Sequence, residues 1–175
     1  MNYYHKFIDF FQRQNLYNKE MFDYFMNNSI LFDYRDEDYH PFIGCFYLTK
    51  NKKISKISLV VPYIDSDVTT LINIHEYTHA IILYNHLGKI YEEGISSEVL
   101  PMFYERLYFE ENKDNESLRK HINKLNRKIL EGQNPKVLKY RLASDIQNEL
   151  LNYYNKGHTS LQELNRKVKR LTKNT

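Results

Sequence analysis

The chain has 175 residues, of which 42% are apolar and 15% aromatic, so it can bury a core and does not have the composition of a disordered chain. Its net charge is only +3, but residues 1–112 hold 10 Lys and Arg against 16 Asp and Glu, whereas residues 113–175 hold 15 against 6. The single cysteine, Cys45, excludes an internal disulfide framework and a cysteine-based zinc site.

The first half of the chain predicts helices followed by a hairpin. Apolar spacing and polar turns indicate, in chain order, helices over 3–13 and 18–28, a loop over 33–41, and strands over 43–48 and 54–63. The polar turn from Lys50 to Lys53 joins the two strands.

The second half predicts helices only. Capping residues and breaks indicate a helix that begins at Asp65, Ser66 or Asp67 and ends at about residue 85, and a second that begins at Ser96 or Ser97 and ends at about residue 111. Further helices are predicted over 118–131 and 135–155. Ser160 and Glu163 then have the spacing of a capping box at the start of the last helix. We therefore expect a single α+β domain, mostly helical. Its parts are a helical N-terminal segment (1–30), a hairpin (43–63), a pair of helices (66–111) and C-terminal helices (115–172).

Residues 75–79 read His75-Glu76-Tyr77-Thr78-His79, an H-E-x-x-H pentapeptide inside an apolar helical stretch. Positions i and i+4 of a helix share one face, so the two imidazoles can bind one zinc ion. Glu76 emerges beside the metal without binding it, where it can take a proton from the attacking water. The pattern predicts a zinc-dependent peptidase. In many zinc peptidases a strand just before the metal-binding helix offers its edge to the substrate backbone, and the predicted strand over 54–63 is the candidate here. The alternative is a pair of core histidines, although buried imidazoles also need polar partners.

Catalytic zinc usually takes a third protein ligand. His86 shares the helical face of His79 but lies about 10 Å further along the axis, and Asn85 stands where one zinc-peptidase pattern has its third histidine. Glu92 and Glu93 follow a turn and have the character of solvated residues.

Glu98 is the better candidate for the third ligand. It opens the next helix among apolar neighbours, where a carboxylate is costly unless it is paired or binds a metal. Glu105 lies seven residues later on the same face. It could accept a hydrogen bond from a ligand histidine, or it could be a surface charge.

The segment 67–105 resembles the zinc helix of the thimet oligopeptidase and oligoendopeptidase F type, a gluzincin family. The resemblance lies in Asp67-Val68-Thr69-Thr70-Leu71, in the H-E-x-x-H motif, and in the two glutamates of Glu98-Val99-Leu100-Pro101-Met102-Phe103-Tyr104-Glu105. The chain departs from the family at Thr78, where Gly is usual, in a proline one residue later than usual, and in a much shorter length.

The resemblance implies a zincin-like core with a small antiparallel sheet or hairpin packed on the H-E-x-x-H helix. It also implies that His75, His79 and Glu98 bind Zn²⁺, that Glu76 is the general base, and that a tyrosine stabilises the oxyanion. Tyr140, in Tyr140-Arg141-Leu142-Ala143-Ser144, matches the family's C-terminal tyrosine, and its rivals are Tyr153, Tyr154 and His158.

Three functions follow as hypotheses. The first is a peptidase that hydrolyses peptides or proteins with Zn²⁺ as cofactor. The second is a regulatory protease with one protein target, and the third is a non-catalytic binding protein on a peptidase-like scaffold. Glu76 argues against the third, because a structural metal site has no use for a general base.

The expected partners and compartment follow from the remaining features. The chain has no signal-peptide pattern and no apolar run of the roughly 18–20 residues that span a membrane, so we expect a cytoplasmic protein without a membrane partner. A nucleic-acid partner is not expected either, because basic helices commonly expose such charge to solvent and no nucleic-acid motif is visible. The small size leaves room for a homodimer.

Overall fold

The computed structural model describes residues 5–32, 43–62, 66–91, 96–131, 135–157 and 160–172. The chain forms two compact units, Met1–Glu92 and Glu93–Thr175. It is mostly helical with one small mixed sheet, which confirms the predicted α+β class. Across the described ranges, no helix has both the length and the apolar character that a membrane span requires.

The first unit contains a three-stranded sheet and three helices. Its elements in chain order are α1 (His5–Arg13), α2 (Lys19–Asn27), β1 (Ser29–Phe32), β2 (Gly44–Lys50), β3 (Lys53–Pro62) and α3 (Asp67–Tyr84). The helices, the hairpin and its turn are as predicted. The short β1 was not predicted, and the predicted loop over 33–41 lies outside the described residues.

The strand order is β1-β3-β2, with β3 in the centre. β1 pairs with β3 in parallel, in the register Ser29 to Leu59, and β2 pairs with β3 antiparallel, in the register Cys45 to Leu59. The sheet is therefore mixed, and the purely antiparallel arrangement expected from the sequence covers only the β2–β3 hairpin. Alternate residues of β3, among them Ile57, Leu59 and Val61, are buried.

Helix α3 is the central helix of the first unit. It packs against β2 and β3 on one side and against α1 and α2 on the other. Residues such as Leu71, Ile74 and Ala80 are fully buried along it, which explains why its sequence is apolar over most of its circumference. A helix buried in this way holds its few polar side chains at fixed positions.

The second unit contains only helices among its described residues. They are α4 (Ser96–Glu111), α5 (Glu116–Glu131), α6 (Pro135–Tyr154) and α7 (Leu161–Leu171). α4, α6 and α7 pack against one another, and α5 packs on α6. Val99, Phe103, Leu150 and Leu164 are fully buried. These four helices match the predicted ones to within two residues, and the predicted capping box of Ser160 and Glu163 is present.

Candidate metal centre

The helix that carries the H-E-x-x-H motif begins at a well-formed cap. Ser66 is the N-cap residue, and its Oγ accepts a hydrogen bond from the Thr69 backbone N–H at 3.1 Å. Asp67 lies in the first turn, where the helix dipole stabilises a negatively charged side chain. Its carboxylate is 3.2 Å from the Lys6 ammonium on α1. Of the three N-cap candidates in the sequence, Asp65, Ser66 and Asp67, it is Ser66 that caps the helix.

Tyr77 fixes the rotation of this helix. Its side chain is fully buried, its ring stacks on Phe22 with the centroids 5.7 Å apart, and it lies 4.8 Å from the ring of Phe7. A residue two positions away on a helix is rotated by about 200°. Because Tyr77 points into the aromatic core, His75 and His79 point to the opposite side, where both are half-buried.

The two motif histidines face each other closely. His75 Nε2 and His79 Nε2 are 3.2 Å apart, and the ring centroids are separated by 4.9 Å. Two nitrogen ligands at about 2.0–2.1 Å from a tetrahedral zinc ion lie about 3.3 Å apart. The pair therefore already has the separation that a shared zinc ion requires, and both rings would bind it through Nε2.

A hydrogen bond between two neutral imidazoles has the same distance. In that arrangement one Nε2 carries a proton and the other accepts it, whereas a metal ion uses the lone pairs of both. The distance alone therefore fits either state, and metal binding distinguishes them.

Glu76 lies on α3, the helix that packs against β2. Its side chain is half-buried, and its negative charge acts on the thiol of Cys45 in β2. Burial, and then this charge, raise the pKa of the Cys45 thiol. In the sequence, the single Cys45 excluded only a disulfide framework and a cysteine-based zinc site. Along β2 the half-buried Cys45 and Tyr47 alternate with the exposed Phe46 and Leu48. This alternation along the strand was the pattern that could have indicated that Cys45 lies on the inner face of the sheet.

The strand expected to offer its edge to a substrate was β3, and this expectation was wrong. β2 occupies one edge of β3 and β1 occupies part of the other. On that second edge the Ile57 N–H also donates to the Tyr24 hydroxyl, and the Ile54 N–H donates to the Lys89 carbonyl. The open edge near the motif belongs instead to β2, because none of the described strands pairs with its outer side.

Glu98 and Glu105 lie on α4 in the second unit. Glu98 is in the first turn and is 7% exposed, and its neighbours Val99 and Leu100 are fully buried. Glu105 is 9% exposed. The alternative in which Glu105 is a solvated surface charge is therefore wrong. Pro101, inside the helix, lacks the N–H that would bond to the Ser97 carbonyl.

Other candidates from the sequence are placed as follows. His86 lies beyond the end of α3, with Nδ1 2.8 Å from the Ile82 carbonyl oxygen and its ring 5.2 Å from that of Tyr91. It is thus held by contacts with its own turn and with Tyr91. Glu92 and Glu93 lie outside the described residues.

The candidate oxyanion donors belong to the second unit. Tyr140 is part of the helical backbone of α6, but its side chain is outside the described structure, as is His158. Tyr154 packs edge-on against Phe103 at 5.5 Å, and the ring of Tyr153 lies 5.7 Å from the Lys167 ammonium. Both rivals therefore take part in packing contacts within their own unit.

In comparisons with known proteins, no family model, no curated protein and no solved structure matches the chain.

Proposed function

We propose that the protein is a zinc-dependent peptidase of gluzincin type with a zincin-like core. The observation that carries the proposal is the 3.2 Å separation of His75 Nε2 and His79 Nε2 on a helix whose rotation is fixed by Tyr77. Glu76 between them supports a catalytic rather than a structural site, because a structural metal site has no use for a general base.

Glu98 is proposed as the third ligand. A carboxylate that is 7% exposed requires a hydrogen bond, a cation or a metal ion to offset its lost hydration. In this proposal His75 and His79 would supply two ligand atoms and Glu98 the third. Two imidazoles and one carboxylate are a donor set typical of catalytic zinc, which keeps its fourth position for water or substrate.

The residues then have distinct roles. His75, His79 and Glu98 would hold the zinc ion, and the chemistry that it would supply is Lewis-acid polarisation of water and of the scissile carbonyl group. The Glu76 carboxylate takes a proton from the water and delivers it to the leaving amine. The outer edge of β2 binds the extended substrate backbone through main-chain hydrogen bonds. Tyr140 remains the proposed donor to the oxyanion.

The decisive test replaces Glu76 by Gln, which keeps shape and hydrogen bonding but removes the base. We expect Glu76→Gln to bind zinc like the unchanged protein and to lose at least about 100-fold in turnover, measured on a library of unstructured peptides. Glu20→Gln, on the exposed surface of α2, is the matched control. Equal cleavage by Glu76→Gln and the unchanged protein would refute the mechanism.

The same assay separates the alternatives. A library left intact, together with cleavage of one protein from the source cell, would identify a regulatory protease with a single target. Zinc binding without cleavage of any peptide or protein would identify a binding protein.

Tyr140 is tested separately. Tyr140→Phe removes only the hydroxyl, so we expect unchanged zinc affinity and a turnover lowered by about 10- to 1,000-fold. Unchanged turnover in a folded variant would remove Tyr140 from the mechanism, and Tyr153→Phe and Tyr154→Phe would be examined next.

A further inference from the structure

The β2–β3 hairpin carries an unbalanced positive charge. From Gly44 to Pro62 the sequence contains four lysines and no acidic residue, although the chain up to residue 112 is acidic overall. Lys50, Lys52 and Lys53 are exposed at the turn. Within the described part of the chain, none of the three forms an ion pair. Their charge is therefore available to a ligand.

The turn keeps a lysine where glycine would be favoured. Lys50 and Lys53 are paired across the hairpin, so the loop has two residues, Asn51 and Lys52, with φ of 54° and 63°. Such a two-residue turn favours Asn followed by Gly. A lysine in the left-handed region costs roughly 1–2 kcal/mol. The chain bears this cost and thereby places one more positive charge at the tip.

This charged tip lies at the far end of the strand that borders the proposed active site. β2 packs against α3, the helix that carries Glu76, and Cys45 lies near the start of this strand. Lys50 is five residues further along the same strand, a distance of about 17 Å at roughly 3.3 Å per residue. A peptide bound along the outer edge of β2 would extend from Glu76 to the lysines.

We propose that Lys50, Lys52 and Lys53 select substrates with Asp or Glu about four to six residues on the N-terminal side of the scissile bond. This inference rests on the proposed peptidase function and on substrate binding along β2. An added strand pairs slightly better antiparallel than parallel. A substrate antiparallel to β2 has its N-terminal part beside Lys50 and its scissile bond beside Cys45 and Glu76.

The expected effect is moderate because the lysines are solvated. Exposed ion pairs are weak and screened by salt. Three of them together should improve kcat/KM by about 3- to 30-fold at low salt, mainly through KM. Raising the salt concentration to about 0.5 M should remove most of this preference.

The test uses the full chain and three peptides that share one cleavable centre. The first carries three Glu residues four to six positions before the scissile bond, the second carries Gln there, and the third carries the Glu residues at the same distance after it. The variant Lys50→Gln/Lys52→Gln/Lys53→Gln should lose the preference for the first peptide. The control Lys113→Gln/Lys120→Gln/Lys124→Gln removes equal charge from exposed sites elsewhere and should keep it.

Binding to the Glu76→Gln protein, measured by fluorescence anisotropy of the same labelled peptides, separates the two proposals. Tighter binding of the first peptide, lost in the hairpin variant, supports the inference even if no peptide is cleaved and the peptidase proposal fails. Equal binding of all three peptides, or a preference for the third, overturns the inference. Hairpin-dependent sedimentation with phosphatidylserine vesicles, without selective peptide binding, would overturn it in favour of a membrane surface.

Discussion

Helices α3 and α7 use the same sequence spacing for different purposes. Each begins at a serine whose hydroxyl caps the first turn, and each carries a pair of like residues at i and i+4. On α7 the pair is Leu164 and Val168, which are buried to 0% and 1% exposure. On α3 the pair is His75 and His79, which are half-buried and face each other through Nε2.

The comparison shows that residue spacing predicts which side chains share a helix face but does not predict what surrounds that face. The i, i+4 pattern places two side chains on one face of a helix whatever they are. Apolar side chains on that face gain by burial, whereas two imidazoles on a helix already surrounded by core need a polar partner. On α3 that partner is either the other imidazole, through a hydrogen bond, or the proposed metal ion.

Replacing a histidine should have the largest effect on function. His79→Ala leaves one imidazole, so we expect zinc affinity to fall by more than about 100-fold, measured by competition with a chromophoric chelator. Leu164→Ala, at the corresponding helical pair of α7, should leave zinc affinity unchanged. Equal affinity of His79→Ala and the unchanged protein would show that the histidines are not ligands.

Replacing Leu164 should instead lower the stability of the fold and leave zinc affinity unchanged. The side chain is fully buried, and its truncation should lower the free energy of unfolding by about 2–5 kcal/mol, as measured by urea denaturation. Leu161→Ala, at a partly exposed position of the same helix, should cost less. A loss below about 0.5 kcal/mol for Leu164→Ala would contradict the packing described for α7.

The serine caps of α3 and α7 should have a smaller effect on stability than the Leu164/Val168 pair and a smaller effect on zinc affinity than the His75/His79 pair. Ser66→Ala removes the hydrogen bond to the Thr69 N–H, and Ser160→Ala removes the capping box with Glu163. Each should lower the free energy of unfolding by about 1 kcal/mol. Zinc affinity should stay unchanged in both, since Ser66 is more than two turns from His75. A large loss of zinc affinity in Ser66→Ala would show that the cap also positions the histidines.

The smallest expected effect concerns the contact between α3 and β2. The Glu76 charge helps to keep the pKa of the Cys45 thiol above its usual value, so Glu76→Gln should lower that pKa and enlarge the thiolate fraction. We expect alkylation by iodoacetamide at pH 9 to become about 2- to 5-fold faster. Glu20→Gln should not change the rate. An unchanged rate in Glu76→Gln would place Glu76 away from β2.

Most elements of the fold could be predicted because they depend on local signals. Capping residues, the turn of the hairpin and apolar spacing gave α1 to α7 and both hairpin strands with small errors at their ends. β1 was missed because four residues carry too little periodicity to be recognised. The central position of β3 was missed because strand pairing with β1 is a non-local contact that no local pattern records.

The residues of the candidate site also separate into those that local sequence could predict and those that it could not. His75, Glu76 and His79 could be predicted because one helical turn contains them all. The proximity of Cys45 to Glu76 could not, since it depends on how the hairpin packs on α3. The charge of Lys50, Lys52 and Lys53 was visible in the sequence, but its place at the end of an edge strand beside the motif required the structure.

The central claim is that His75 and His79 hold a metal ion rather than a hydrogen bond between them. It is tested most directly by the zinc content of the purified protein, measured by plasma mass spectrometry after equilibration with zinc and removal of the unbound ion. The account predicts one zinc ion per chain. No bound zinc in the folded protein would contradict it, and would leave the two histidines as a hydrogen-bonded pair.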